Sequence, residues 1–291
     1  MSTNLKTLLK HKALNEWRLL GLIALPISVA VIITMMGLDL SQAESVSSMI
    51  QFSVRCSVPW LYLAFAASSV YALFPGEASR WLLRNRKIMG LCFAAGMAWQ
   101  LLFIVWLVTV HSDYFANEVY VLRDLIEGLL GYAFLIAMII TSFKAGRSLI
   151  KPKQWKLLHK SGIYFLWAYA WSVYWYELFY YTEVDAVDYA YYWFGITAWG
   201  LRVAAWTKKR WQFTDKKPAA GALLWLGIAT IAIGVFGVCF GSLWSEQAEA
   251  LVTGYRVTYF FEMYFPYYPF VPFFPAFVIA LGAYLLIKPR G

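Results

Sequence analysis

Eight runs of roughly twenty predominantly apolar residues, separated by short polar stretches, constrain this chain more than any other feature. They fall at residues 17–37, 53–74, 88–110, 125–143, 161–181, 188–206, 220–243 and 270–287. A helix rises about 1.5 Å per residue, so each run reaches across the roughly 30 Å of hydrocarbon in a bilayer. Strands of a membrane barrel would alternate apolar and polar residues over about ten positions, and these runs do not alternate. With 61% hydrophobic and 14% charged residues in 291, and a mean hydropathy of +0.58, too little polar surface remains for a water-soluble domain. The expected fold is all-α, a polytopic membrane bundle of about eight transmembrane helices. The first run is span-length and lacks a small-residue cleavage site behind it, so it is read as a helix and not as a signal peptide.

The net charge of +9 is explained by where the charges lie. Of the 25 basic residues, 22 fall on one side of an eight-helix plot: before the first run, between the second and third, between the fourth and fifth, after the sixth, and at the end of the chain. Of the 16 acidic residues, 13 fall on the other side. The positive-inside rule then predicts a multi-pass protein with both termini cytoplasmic and an even helix count, and the bilayer, not nucleic acid, as partner of the basic loops. Arg55, Arg123 and Arg256 are the three basic residues assigned to the outer side. A charge near a span is costly unless paired, so Glu127, Glu177 and Glu262 are expected to meet them, as packing ion pairs or as the polar floor of an outward-facing cavity. Cys56, Cys92 and Cys239 are isolated, and their spacing indicates no disulfide framework or metal site. Pro26, inside the first run, is expected to face the bundle, where neighbours can satisfy the carbonyl it frees.

The most informative stretch is 141–181, in which a loop carrying Lys144, Arg147, Lys151, Lys153, Lys156 and Lys160 leads through His159 into an aromatic span. Upstream, LLRNRKIMGL enters the third span, and the fourth ends in TSFKAGR before QWKLLH opens the fifth. This order resembles the ferric-reductase-like transmembrane domain, the superfamily that includes the heme-binding membrane subunit of bacterial methionine sulfoxide reductase. The resemblance covers residues 46–210. It implies a six-helix core in which two histidines about fourteen residues apart on one helix, and two about thirteen apart on another, hold stacked hemes across the roughly 20 Å between them. Those four positions correspond here to Arg86 and Gln100, and to His159 and Ser172, so only His159 retains a ligand type. The implied function is a heme-less scaffold or accessory subunit with no catalytic residue and no metal. One alternative is a single heme b electron-transfer protein in which His159 pairs with Met89, Met97 or a tyrosine among Tyr169, Tyr174 and Tyr176. Another is quinone or lipid binding in the pocket near Arg55, Glu127 and Glu177.

Outside the resemblance lie residues 1–45, an amphipathic cytoplasmic segment with the first span, and residues 218–291, a two-helix extension. In the extension, Gly237 and Gly241 form a small-xxx-small pair expected to mediate close helix approach. Pro266, Pro269, Pro272 and Pro275 recur every third residue among large aromatics. That period fits a polyproline II rod, expected either to contact a membrane or periplasmic partner or to cover the outer end of the bundle.

Overall fold

The computed structural model describes residues 2–180, 184–213, 221–253 and 271–287. Among these, 90% are helical and no strand occurs. The principal helices are α1 (Glu16–Met36), α2 (Ala43–Leu73), α3 (Arg86–Val110), α4 (Leu122–Thr141), α5 (Pro152–Phe179), α6 (Ala186–Phe213), α7 (Ala222–Cys239) and α8 (Phe274–Ile287). Among the described residues, five helices are long and apolar enough to cross a membrane: α1, α2, α3, α7 and the segment Asp124–Thr141 of α4. Helices α5 and α6 are also long enough, at 28 residues each, but their Tyr, Trp and charged residues lower their hydropathy. The chain divides into two compact units, residues 1–167 and 168–291, the division falling inside α5.

In the first unit, the polar stretch 43–49 is helical, which lengthens α2 to 31 residues. The expected span began only at residue 53. Ala43, Val46 and Met49 recur at helical spacing and are buried with Val31 of α1 and with Phe103 and Leu107 of α3. This stripe, worth ~2 kcal/mol per large side chain removed from water, carries the helix past its polar neighbours. Gly96 lets α2 and α3 approach: a β-carbon placed there would stand 2.5 Å from Ser57 Cβ and 3.3 Å from the Ser53 carbonyl oxygen. Trp99 Nε1 ties α3 to α1 by donating to Ser28 Oγ at 3.0 Å. The buried face of α1 is Leu19, Ile27 and Val31, and Pro26 lies on its exposed side, against expectation. At the far end of α3, His111 Nε2 donates to the Leu40 carbonyl at 3.2 Å. In the adjoining turn, the Asp39 carboxyl is held below its ordinary pKa by hydrogen bonds from the Ser41 hydroxyl and backbone N–H.

The second unit is organised by aromatic rings and by small residues. Trp171 is fully buried, stacked on Tyr192 at 5.6 Å and tilted against Phe273 at 5.3 Å. The Tyr192 hydroxyl donates to the Val238 carbonyl at 2.7 Å. Trp175 packs on Phe179 and Trp244, whose Nε1 donates to the Gly237 carbonyl at 2.9 Å. Trp171, Trp175 and Tyr192 are therefore core, while Tyr180, Tyr189 and Trp193 are exposed.

Helix α7 opens at Gly221, whose φ of +62° lies in the region glycine enters without steric cost. The small-residue contact between α7 and α8 runs through Gly227, Gly234 and Gly282, each of which faces backbone of the opposite helix. Of the expected pair Gly237/Gly241, Gly237 faces the Pro275 ring of α8 closely, whereas Gly241 is corrected: α7 ends at Cys239, and Gly241 sits in a 3₁₀ turn under the Phe179 ring. The polyproline expectation is also corrected where the structure describes it. Pro272 belongs to a 3₁₀ turn over Val271–Phe273, and Pro275 lies in the first turn of α8, where a missing N–H costs nothing. Both are buried against this unit's own helices, so neither ring is presented to a partner. Pro266 and Pro269, with Arg256 and Glu262, lie outside the described residues.

Candidate functional site at the basic end of the first unit

Hydrogen bonds and ring contacts bring three of the basic connections together at one end of the first unit. The N-terminal segment is bound to the helix Glu77–Arg84 by Arg84, whose guanidinium donates to Asn15 Oδ1 at 2.7 and 3.1 Å and to the Leu9 carbonyl at 3.1 Å. Trp81 Nε1 donates to the Leu14 carbonyl at 2.7 Å, and the Glu16 backbone N–H donates to Asn85 Oδ1 at 3.2 Å. This last bond steadies Glu16 at its unusual φ of +54°, the point where the chain turns into α1. Lys87, one residue into α3, holds its ammonium 4.3 Å from the Phe143 ring centroid and 5.8 Å from that of Trp17. Trp17 and Phe143 are themselves stacked at 5.9 Å. The starts of α1 and α3 and the end of α4 thus meet at one cation–aromatic cluster.

A second cluster stands where α4 gives way to α5. The turn is tight at Gly146, where a β-carbon would collide with the Ile140 carbonyl. Pro152 starts α5 with its fixed φ, and Gln154 Oε1 accepts from the Lys151 backbone N–H at 2.9 Å. Trp155 then lies one helical turn before His159, with ring centroids 4.3 Å apart, and its Nε1 donates to the Thr141 carbonyl at 3.0 Å. The Arg147 guanidinium lies 3.9 Å from the Trp155 ring centroid.

His159 Nε2 is held by the Thr141 hydroxyl at 3.0 Å, and the same hydroxyl lies 2.6 Å from the Ala137 carbonyl one turn back on α4. The exposed flanking residues Lys156 and Lys160 set this level apart from the apolar run that begins at residue 161. Burial first, and then the positive charges of Arg86 and Arg147, lower the His159 pKa from 6.5 to about 4. The folded protein therefore binds fewer protons at this site than the unfolded chain between those values. Its contribution to stability is full above about pH 6.5 and is lost as pH falls through about 4. Melting temperatures across pH 4–8 in a neutral detergent are expected to show that acid decline, and His159→Gln to lessen it. An unchanged decline in the variant would assign it to other groups.

The remaining sequence candidates are distributed as follows. Gln100 Oε1 accepts from the Tyr132 hydroxyl at 2.8 Å, and the same hydroxyl lies 3.1 Å from the Met97 carbonyl. Met97 Sδ lies 3.7 Å from the Ser57 hydroxyl, and Met89 is buried among Leu19, Ala64, Ile88 and Cys92. Ser172, in the second unit, donates its hydroxyl to the Tyr169 carbonyl one turn back at 2.9 Å. Arg55 is half-buried and Glu127 buried, both in the first unit; Glu177 is half-buried in the second. The side chain of Arg123 lies outside the described residues. Sequence reasoning missed the roles of Trp17, Lys87, Thr141, Phe143 and Trp155. The four-residue spacing of Trp155 and His159 was the one readable signal, since residues so spaced share a helix face.

No protein-family model, curated protein or solved structure matches this chain. Among the described residues, no group of three or more His, Cys, Asp or Glu side chains is arranged to hold a metal ion.

Proposed function

We propose that the protein is a multi-pass protein of a bacterial inner membrane, both termini cytoplasmic, whose heme-free helical core serves as a non-catalytic scaffold or accessory subunit for a membrane or periplasmic partner. The observation that carries this reading is the hydrogen bonding of His159. A histidine that ligates heme through Nε2 needs that nitrogen open to the iron, whereas here the Thr141 hydroxyl occupies it at 3.0 Å. The other three positions of the resemblance offer no substitute. Arg86 has no lone pair to give, Gln100 is taken by Tyr132, and Ser172 is bonded to its own helix. Phe65 stacks on Trp167 at 5.3 Å and meets Tyr164 edge-on at 5.1 Å, so large rings fill the space between α2 and α5. The residues present do not fit a b-type heme.

Two further observations support the placement and the partner. The gathering of basic connections at one end of the first unit is the pattern that retains a membrane face in the cytoplasm. Tyr180, Tyr189, Trp193 and the acidic Asp185, all exposed, are side chains suited to a docking face. An absorption spectrum of the purified, dithionite-reduced protein tests the reading. The expected result is no Soret or α band; stoichiometric heme b, lost in His159→Ala, would replace the scaffold with an electron-transfer protein.

A further inference from the structure

The basic end of the first unit carries more positive charge than the described residues there can neutralise. Residues 6–18, 77–87 and 144–160 hold fourteen lysines and arginines against two carboxylates, Glu16 and Glu77. Glu77 stands 3.4 Å from Arg80, on the same helix. Arg147 is partly exposed and stacked on Trp155, yet its Nη1 is buried without a hydrogen-bond partner. The exposed part of the guanidinium, and not the buried Nη1, is where an anion can reach this charge. Lys87 is held over the Phe143 and Trp17 rings, and Trp17 is 58% exposed, placing an amphipathic ring beside a cation. Beyond Trp17 the outward side of α1 presents Leu22, Leu25, Val29 and Ile33, all more than half exposed and spaced along one stripe of the helix.

Resting on the membrane-spanning reading above, we propose that this end of the first unit binds an anionic phospholipid. Lys87 and Arg147 take its phosphodiester headgroup, and its acyl chains lie along the apolar stripe of α1. The two halves of the surface explain each other: cations alone would suit a free phosphate, and an apolar stripe alone would suit any lipid. Together they select a lipid whose headgroup bears net negative charge.

The test uses the full chain purified in a neutral detergent, with phosphatidylglycerol, phosphatidylcholine or inorganic phosphate added at equal concentration. Phosphatidylglycerol is expected to raise the melting temperature by about 5 °C, with the other two below about 1 °C. The double substitution Lys87→Gln with Arg147→Gln is expected to remove at least about half of that shift, while Lys208→Gln with Lys209→Gln, in the second unit, retains it. Native mass spectrometry of the unaltered chain supplies a measurement independent of whether a variant folds, and is expected to show phosphatidylglycerol retained in preference to phosphatidylcholine. An equal response to phosphatidylcholine, an equal response to inorganic phosphate, an undiminished shift in the folded double variant, or no preferential retention would each overturn the proposal. Release of the chain from membranes by alkaline carbonate would instead overturn the membrane-spanning reading beneath it.

Discussion

Gly234→Leu is expected to separate α7 from α8 and to cost about 3 kcal/mol, the upper end of the overpacking range. A β-carbon at this position would stand 2.6 Å from Ile279 Cγ1, 2.8 Å from the Pro275 carbonyl oxygen and 2.9 Å from the Ile279 backbone nitrogen. Two of those three atoms are backbone, so no change of rotamer relieves the collision; the helices must move apart. Moving them apart also opens the contacts at Gly227 and Gly282, where the backbone of one helix again faces the other closely. Amide exchange should quicken across Ala222–Cys239 and Phe274–Ile287 as the melting temperature falls. Gly200→Leu, in α6, is the control, because nothing lies within 4 Å of a β-carbon there. Equal losses from both substitutions would show that the effect comes from loss of glycine itself.

Gly96→Leu should destabilise the first unit by a similar ~3 kcal/mol, at the crossing of α2 and α3. Its β-carbon would meet Ser57 Cβ at 2.5 Å, with the Ser57 Cα and Ser53 carbonyl oxygen both at 3.3 Å. Ser53 and Ser57 each donate a hydroxyl within α2, to the Ile50 and Val54 carbonyls, so displacing them also disturbs that helix's own bonding. Gly90→Leu, six residues earlier on α3 and in open space, should be tolerated and should gain a few tenths of a kcal/mol or more from helix propensity. Thermal unfolding of both variants in the same detergent is the measurement, and a Gly96 variant as stable as its Gly90 control would mean that α2 and α3 are free to slide.

These glycines mark the limit of what the order of residues conveys. The runs that became α1, α3, α4 and α7 were readable because hydrocarbon imposes one requirement on every spanning helix: about twenty apolar residues with internally satisfied backbone. The extension of α2 back to Ala43 was not readable. Its polar residues resemble a loop until Val46 and Met49 are seen packed against Phe103 and Leu107. Gly237 and Gly241 had the right spacing, but α7 stops between them: only Gly237 faces α8, at Pro275, and the closest backbone approach is made by Gly227 and Gly234. Spacing shows which small residues share a face, and only the packed neighbour shows which face is used.

The same division holds at His159. Its position at the mouth of a basic loop and its spacing from Trp155 were fixed by the sequence, because residues four apart on a helix meet whatever lies around them. That His159 Nε2 meets the Thr141 hydroxyl, that Arg147 folds over Trp155, and that Lys87 spans the rings of Trp17 and Phe143 were decided by tertiary structure alone. Each joins residues from different helices, and contacts between helices depend on their rotation and depth, which a local pattern does not encode. Hydropathy and charge by themselves determined an all-helical chain with helices long enough to cross a membrane and basic connections between them. Packing decided which polar groups at those connections are already partnered, and that is what directs the reading away from a heme and toward a bound lipid.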